Sequence, residues 1–138
     1  MKVAWDRVLN LTLWVLQGLL ALLFLCVGAS KLTPNVHFWI EQFDKIGIGQ
    51  WFRYFVGSLE VICAILLLIP RTSAVAALLL AFTMVGAVVA HLFILHDGYA
   101  TVFPAFPLLL LAIVAWQRGS AGKTRAKMRA LRNSHDGS

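Results

Sequence analysis

Four long apolar stretches divide the chain, and nearly all of its charged residues lie in the short segments between them and at the two ends of the chain. They cover about 8–30, 54–70, 73–95 and 101–117, and each reaches or approaches the roughly 20 residues with which an α-helix crosses a bilayer. This pattern predicts an all-α membrane protein, in which residues 1–117 form a single bundle of four transmembrane helices.

The first loop has a helical pattern of its own. Thr33 and Pro34 are typical of a helix start, and Gly47 is typical of a helix end. The apolar positions between them recur at helical spacing: Val36, Trp39, Ile40 and Phe43. The loop is therefore predicted to form a short amphipathic helix over about 34–46 at the outer interface. Such a helix either anchors the loop or covers a pocket, and the sequence leaves both open.

The composition excludes an ordinary soluble domain, because 60% of the residues are hydrophobic and only 13% are charged. The formal net charge is +6, and residues 118–138 carry most of it, with six Lys and Arg against one Asp. We expect this segment to be a mobile, basic cytoplasmic tail, with a short surface helix over 123–132 as the alternative. On a membrane protein a basic tail indicates orientation or contact with anionic lipids, and not nucleic acid.

The charges also predict the orientation. Nine of the twelve Lys and Arg fall on the side of the termini and of the turn at Arg71. The positive-inside rule therefore predicts a multi-pass protein of the bacterial inner (cytoplasmic) membrane with both termini in the cytoplasm. Membrane lipids are its expected surroundings.

One carboxylate, Glu60, lies inside the second apolar stretch. An isolated carboxylate there is costly, so it must be protonated, paired or next to a water-filled cavity. Lys31 at the end of the first stretch and His91 in the third fall at a similar depth, in the outer third of the bundle. We predict that these three residues form a shared cluster in a ligand-binding pocket. Three aromatic residues are predicted as its apolar walls: Trp39, Trp51 and Phe55.

Structural roles are the alternative for each member of this trio. Lys31 could extend its amine to the interface, His91 could bond a backbone carbonyl, and Glu60 could only hold helices together. Cys26 lies roughly 140° around the first helix from Lys31, whereas Cys63 shares the face of Glu60. The two thiols therefore point in different directions, which argues against a disulfide. The sequence has no CxxC pair, phosphate loop or metal-binding spacing. No metal or cofactor is evident from it.

Three segments resemble the DoxX-like family of small bacterial membrane proteins. They are Phe24–Leu32 (FLCVGASKL), Gly57–Val61 (GSLEV) and Met84–Leu92 (MVGAVVAHL), and a last span that contains Pro107 accompanies them. The resemblance covers about residues 8–117. It implies a four-helix membrane bundle in which the Gly-x-x-Lys end of the first span lies near the glutamate of the second.

The resemblance implies less about activity. The family's namesake is a subunit of a thiosulfate:quinone oxidoreductase, other members are linked to redox-stress complexes, and similar animal proteins assist receptor assembly. Our leading hypothesis is a redox-associated accessory subunit whose polar pocket takes a quinone or similar amphipathic molecule. A small proton-coupled transporter and an assembly partner or chaperone are the alternatives. The chain has no catalytic motif, so any enzymatic role is that of a subunit in a quinone-linked oxidoreductase. Its expected partners are a membrane or redox protein or a second copy of itself.

Overall fold

The computed structural model describes residues 1–135, and every regular element in them is helical. The α-helices are α1 (Lys2–Leu32), α2 (His37–Ile46), α3 (Gln50–Leu67), α4 (Ser73–Val89) and α5 (Val102–His135). A π-helical turn, Ala90–Ile94, extends α4, and a 3₁₀ turn, Gly98–Thr101, precedes α5. Four segments are long and apolar enough to cross a membrane: α1, α3, α4 with its π turn, and Gly98–Ser134. The predicted all-helical membrane architecture is therefore confirmed.

The bundle consists of two helix pairs. Helix α1 packs mainly on α3 and α4 mainly on α5; α3 and α4 join the pairs, while α1 and α5 touch only slightly. The fully buried core comes from all four long helices: Leu20, Ala21, Phe24, Cys63, Ala64, Leu67, Ala76, Ala77, Leu80, Met84, Leu111 and Val114. Many large apolar side chains face outward on the same helices. Such a surface is suited to lipid, in which outward-facing apolar groups are at no disadvantage.

Helix α2 starts later than the sequence predicts. The hydroxyl of Thr33 donates to the carbonyl of Ala29 at 3.1 Å, so Thr33 belongs to the end of α1 and does not cap α2. The residue before α2 is Val36, which has an extended backbone and makes no side-chain cap. The end of α2 is as predicted, because Gly47 has a left-handed backbone with φ of +79°. A position of α2 at the membrane interface stays a prediction.

The basic segment differs from the mobile tail that we expected. Helix α5 runs without a break past Arg118 to His135, and residues 136–138 lie outside the described part of the chain. Its 34 residues correspond to about 51 Å at 1.5 Å per residue, against about 30 Å for the hydrocarbon core of a bilayer. Two physical reasons account for the continuation. The segment is rich in Ala, Lys and Arg, which are strong helix formers. The preceding span is already helical, so the costly first turn of a new helix does not have to form.

Candidate functional site

The structure brings Lys31 and Glu60 together as a buried ion pair, which we call closed because neither group is open to solvent. The Nζ of Lys31 lies 2.6 Å from Oε1 and 2.8 Å from Oε2 of Glu60, so one amine binds both carboxylate oxygens. Glu60 has no exposed surface, and Lys31 is 6% exposed. The contact that we predicted from their depth is therefore present. A role of either residue in ligand binding stays a prediction.

Two glycines explain why these side chains meet. A Cβ atom added to Gly28 would lie 2.9 Å from the carbonyl oxygen of Gly57, and one added to Gly57 would lie 2.9 Å from the carbonyl oxygen of Gly28. The backbones of α1 and α3 are therefore in direct contact at this level. Lys31 and Glu60 each follow one of these glycines by three residues, so both project from the crossing on neighbouring turns. The family resemblance placed the Gly-x-x-Lys end of α1 near Glu60, but the role of Gly57 on the opposite helix was missed.

Trp39 of α2 covers the lysine side of the pair. Its ring centroid lies 4.8 Å from Nζ of Lys31, within the range of a cation–π contact. Its indole N–H donates to the hydroxyl of Ser30 at 2.9 Å, which ties α2 to the end of α1. Trp39 therefore lies where the predicted pocket wall was expected, but it contacts the amine directly and leaves Lys31 little exposed surface.

A buried arginine that the sequence analysis did not single out completes this end of the bundle. Arg53 in the first turn of α3 is 2% exposed, and its guanidinium donates to the carbonyls of Lys31 and Thr33 at the end of α1. A cation at a helix C-terminus satisfies free carbonyls and complements the helix dipole. Its Nε donates to Gln50 at 2.8 Å, and Gln50 in turn donates to Asp44 of α2 at 2.7 Å. The ends of α1, α2 and α3 thus share one hydrogen-bond network.

His91 does not join the pair. Its Nδ1 lies 2.8 Å from Oδ1 of Asp97, and among the described residues the amine of Lys31 donates hydrogen bonds only to Glu60. The predicted three-residue cluster is therefore not formed. Because the π turn at Ala90–Ile94 changes the register of the helix end, the regular spacing from which we inferred the direction of His91 does not hold there.

The two remaining predicted wall residues lie on the surface. Trp51 is 64% exposed and Phe55 is 57% exposed. Both contact Phe52. Its ring centroid lies 5.8 Å from that of Trp51 and 6.3 Å from that of Phe55, and the rings of Phe52 and Phe55 are stacked. Trp51 and Phe55 form an exposed aromatic surface on α3 together with the half-buried Phe52, and they do not enclose the ion pair.

A second buried polar cluster lies at the opposite end of the bundle. Gln17 has no exposed surface; its amide donates to the carbonyl of Leu67 at 2.7 Å and accepts from Nε of Arg118 at 2.7 Å. Arg118 also donates to Asn10 at 3.1 Å, and its guanidinium lies 4.9 Å from the ring centroid of Trp14. Asn10 and Gln17 are seven residues apart and therefore lie on the same side of α1. Arg118 was missed because it was assigned to the tail.

The remaining chemistry-bearing residues do not form a further site in residues 1–135. Both cysteines are free thiols there; Cys26 is exposed and Cys63 is buried. Within the same residues, no group of three or more His, Cys, Asp or Glu side chains is arranged to hold a metal ion.

Fold and site together define a small multi-pass membrane protein with a buried polar cluster at each end of its bundle. The chain belongs to the DoxX-like family, since the model of that family matches residues 15–115. The match includes the Lys31–Glu60 pair and confirms the resemblance seen in the sequence, while Arg118 and the rest of α5 lie beyond it. No curated protein and no solved structure is matched by the chain.

Proposed function

We propose that this DoxX-like protein is a non-catalytic accessory subunit of an inner-membrane complex, and that Lys31 and Glu60 stabilise its bundle without handling a substrate. A quinone-linked oxidoreductase is the first partner to test, because redox complexes are what the family resemblance implies. The closed state of the Lys31–Glu60 pair is the observation that carries this proposal.

A carboxylate that moves protons or touches a substrate needs access to water or to the ligand. Glu60 has no exposed surface, and both of its oxygens accept from the same amine. The ring of Trp39 covers the amine of Lys31, and Arg53 binds the backbone carbonyl of the same residue. This arrangement supports a structural role. It does not support a proton-coupled transporter, because Glu60 is not accessible to protons at this position.

Native mass spectrometry of the full-length protein, isolated from its own membranes in mild detergent, tests the proposal. We expect a second protein in fixed stoichiometry with this chain, and no proton flux when the purified chain is reconstituted into liposomes. Proton flux that Glu60→Gln abolishes would contradict the accessory role and assign a transporter.

A quinone-like ligand is a second proposal, supported by the exposed aromatic surface of Trp51, Phe52 and Phe55. The stacked rings of Phe52 and Phe55 leave flat apolar area on which another ring can lie. The same mass spectra test it, since a bound quinone adds its own mass. That mass should be lost in Phe55→Ala and retained in Phe106→Ala, which removes an equally exposed ring from α5 (63%). Equal loss, or no added mass in the unchanged protein, would contradict this site.

We also propose that both termini lie in the cytoplasm, since nine of the twelve Lys and Arg then lie on that side. A reporter enzyme that works only in the cytoplasm, fused after Ser138, should be active. A reporter that works only outside the cytoplasm, fused at the same position, should be silent. The opposite pattern would reverse the orientation.

A further inference from the structure

The end of α5 beyond the bundle has a two-heptad apolar seam. We call residues 118–135 the basic arm. Its apolar seam follows Gln117 at alternating spacings of four and three residues and consists of Ala121, Met128 and Leu131, with Thr124 as its one polar position. Met128 and Leu131 are 67% and 61% exposed, and every residue from Ser120 to Ser134 is exposed. The spacing is that of the a and d positions through which two helices pair.

The positions beside this seam are basic on both sides. The seam has Ala121 and Met128 as its a positions, and it has Thr124 and Leu131 as its d positions. Arg125 and Arg132 directly follow the d residues, and Lys127 directly precedes the second a residue. These are the e and g positions, whose charges set the choice of partner in paired helices. Lys123 and Arg129 belong to the other side of the helix, away from the seam. Neither of the two ion pairs among the described residues involves the arm.

We propose that the basic arm is a docking surface for an acidic amphipathic helix of a partner protein. Such a helix would place apolar residues on the seam and Glu or Asp opposite Arg125, Lys127 and Arg132. This inference rests on the proposed accessory role, to which it adds the chemistry of the partner.

A second copy of the chain does not fit this surface. In a parallel pair, Lys127 of one copy would face Arg132 of the other. In an antiparallel pair, equivalent flanking positions would face each other, so Arg would meet Arg and Lys would meet Lys. Like charges at these positions oppose pairing in either direction. The flanking charges therefore select a partner of the opposite sign.

An anionic membrane surface is a less suitable binding partner for the basic arm than an acidic helix is. Because α5 continues as one helix, Arg125 and Arg132 lie about 10 Å and 21 Å beyond Arg118 along its axis. The attraction of anionic lipids falls off within about 8–10 Å at moderate salt. Arg118 itself donates to Gln17 and Asn10 inside the molecule. With Arg118 at the level of the head groups and α5 perpendicular to the membrane, the far end of the seam is therefore beyond their effective reach.

The test uses the full-length protein in nanodiscs of zwitterionic lipid. The probe is a synthetic helical peptide with Leu at its seam positions and Glu at its flanking positions, titrated by fluorescence anisotropy. Arg125→Glu with Arg132→Glu reverses two flanking charges, and Lys123→Glu with Arg129→Glu reverses two charges away from the seam. Both double variants change the net charge equally and keep good helix formers. Circular dichroism checks that both retain the helix content of the unchanged protein.

We expect the flanking variant to bind the peptide about tenfold more weakly, because two attractive pairs become repulsive, while the control variant loses less than about threefold. Equal losses in the two variants, or no binding by the unchanged protein, would overturn the docking surface. The same variants can be isolated from native membranes. A partner complex that survives the flanking reversal would overturn this docking site and leave the accessory role standing.

Discussion

Lys31→Met is expected to lower the free energy of unfolding by about 3–5 kcal/mol, the usual cost of leaving one member of a buried ion pair without its partner. Glu60 has no exposed surface, so its carboxylate cannot turn to water when the amine is removed. Glu60→Gln should cost less, because Lys31 lies at the end of α1 and its flexible stem can carry the amine outward. The double substitution should recover much of the loss caused by Lys31→Met.

Unfolding of the four proteins in the same detergent at neutral pH measures this cycle. Lys45→Met is the matched control, since Lys45 is an exposed lysine near the end of α2 and its change should cost less than about 0.5 kcal/mol. Strictly additive single effects would show that Lys31 and Glu60 are not coupled. The pair would then lose its role as the element that holds α1 and α3 together at this end of the bundle.

Gly28→Ala and Gly57→Ala should each destabilise the protein by about 1–3 kcal/mol, the range found when a packed interface is overfilled. Each new methyl group would lie about 2.9 Å from a backbone carbonyl oxygen of the opposite helix, and a backbone cannot move aside as a side chain can. The helices would have to separate, which would also lengthen the contact between Lys31 and Glu60.

Gly18→Ala and Gly86→Ala are the controls, because a Cβ added at either position meets nothing within 4 Å. Both glycines lie inside helices, where Ala is favoured over Gly by about 0.5–1 kcal/mol, so these changes should be neutral or stabilising. The same unfolding assay compares all four substitutions. If Gly28→Ala were as well tolerated as Gly18→Ala, close approach of α1 and α3 would not be a requirement of the fold.

The sequence was sufficient to predict the four membrane spans and the pairing of Lys31 with Glu60. Long apolar stretches specify membrane helices because the backbone must satisfy its own hydrogen bonds in lipid. Once the order and direction of the spans are set, the depth of each charged residue follows from 1.5 Å per residue. Two opposite charges at one depth and on inward faces have few partners other than each other.

Depth and regular spacing could not predict the rest of the site. His91 lies in a π turn, which a 3.6-residue periodicity does not reveal, and its partner Asp97 follows only six residues later. Arg53 and Arg118 flank apolar stretches, and charges at such positions are usually solvated. That both donate to groups of α1 depends on how the helices are arranged around one another, which the pattern of a single chain does not contain.

The cluster around Gln17 has a consequence for biosynthesis. Gln17 receives its hydrogen-bond partners from residues 50 and 101 positions later in the chain. During synthesis from the N-terminus, α1 is therefore made before either of the groups that the amide of Gln17 contacts in the folded protein. That amide first gains the carbonyl of Leu67 when α3 arrives and then the guanidinium of Arg118 after the last span. Translation must thus pass Arg118 before the first helix can have all of its polar contacts.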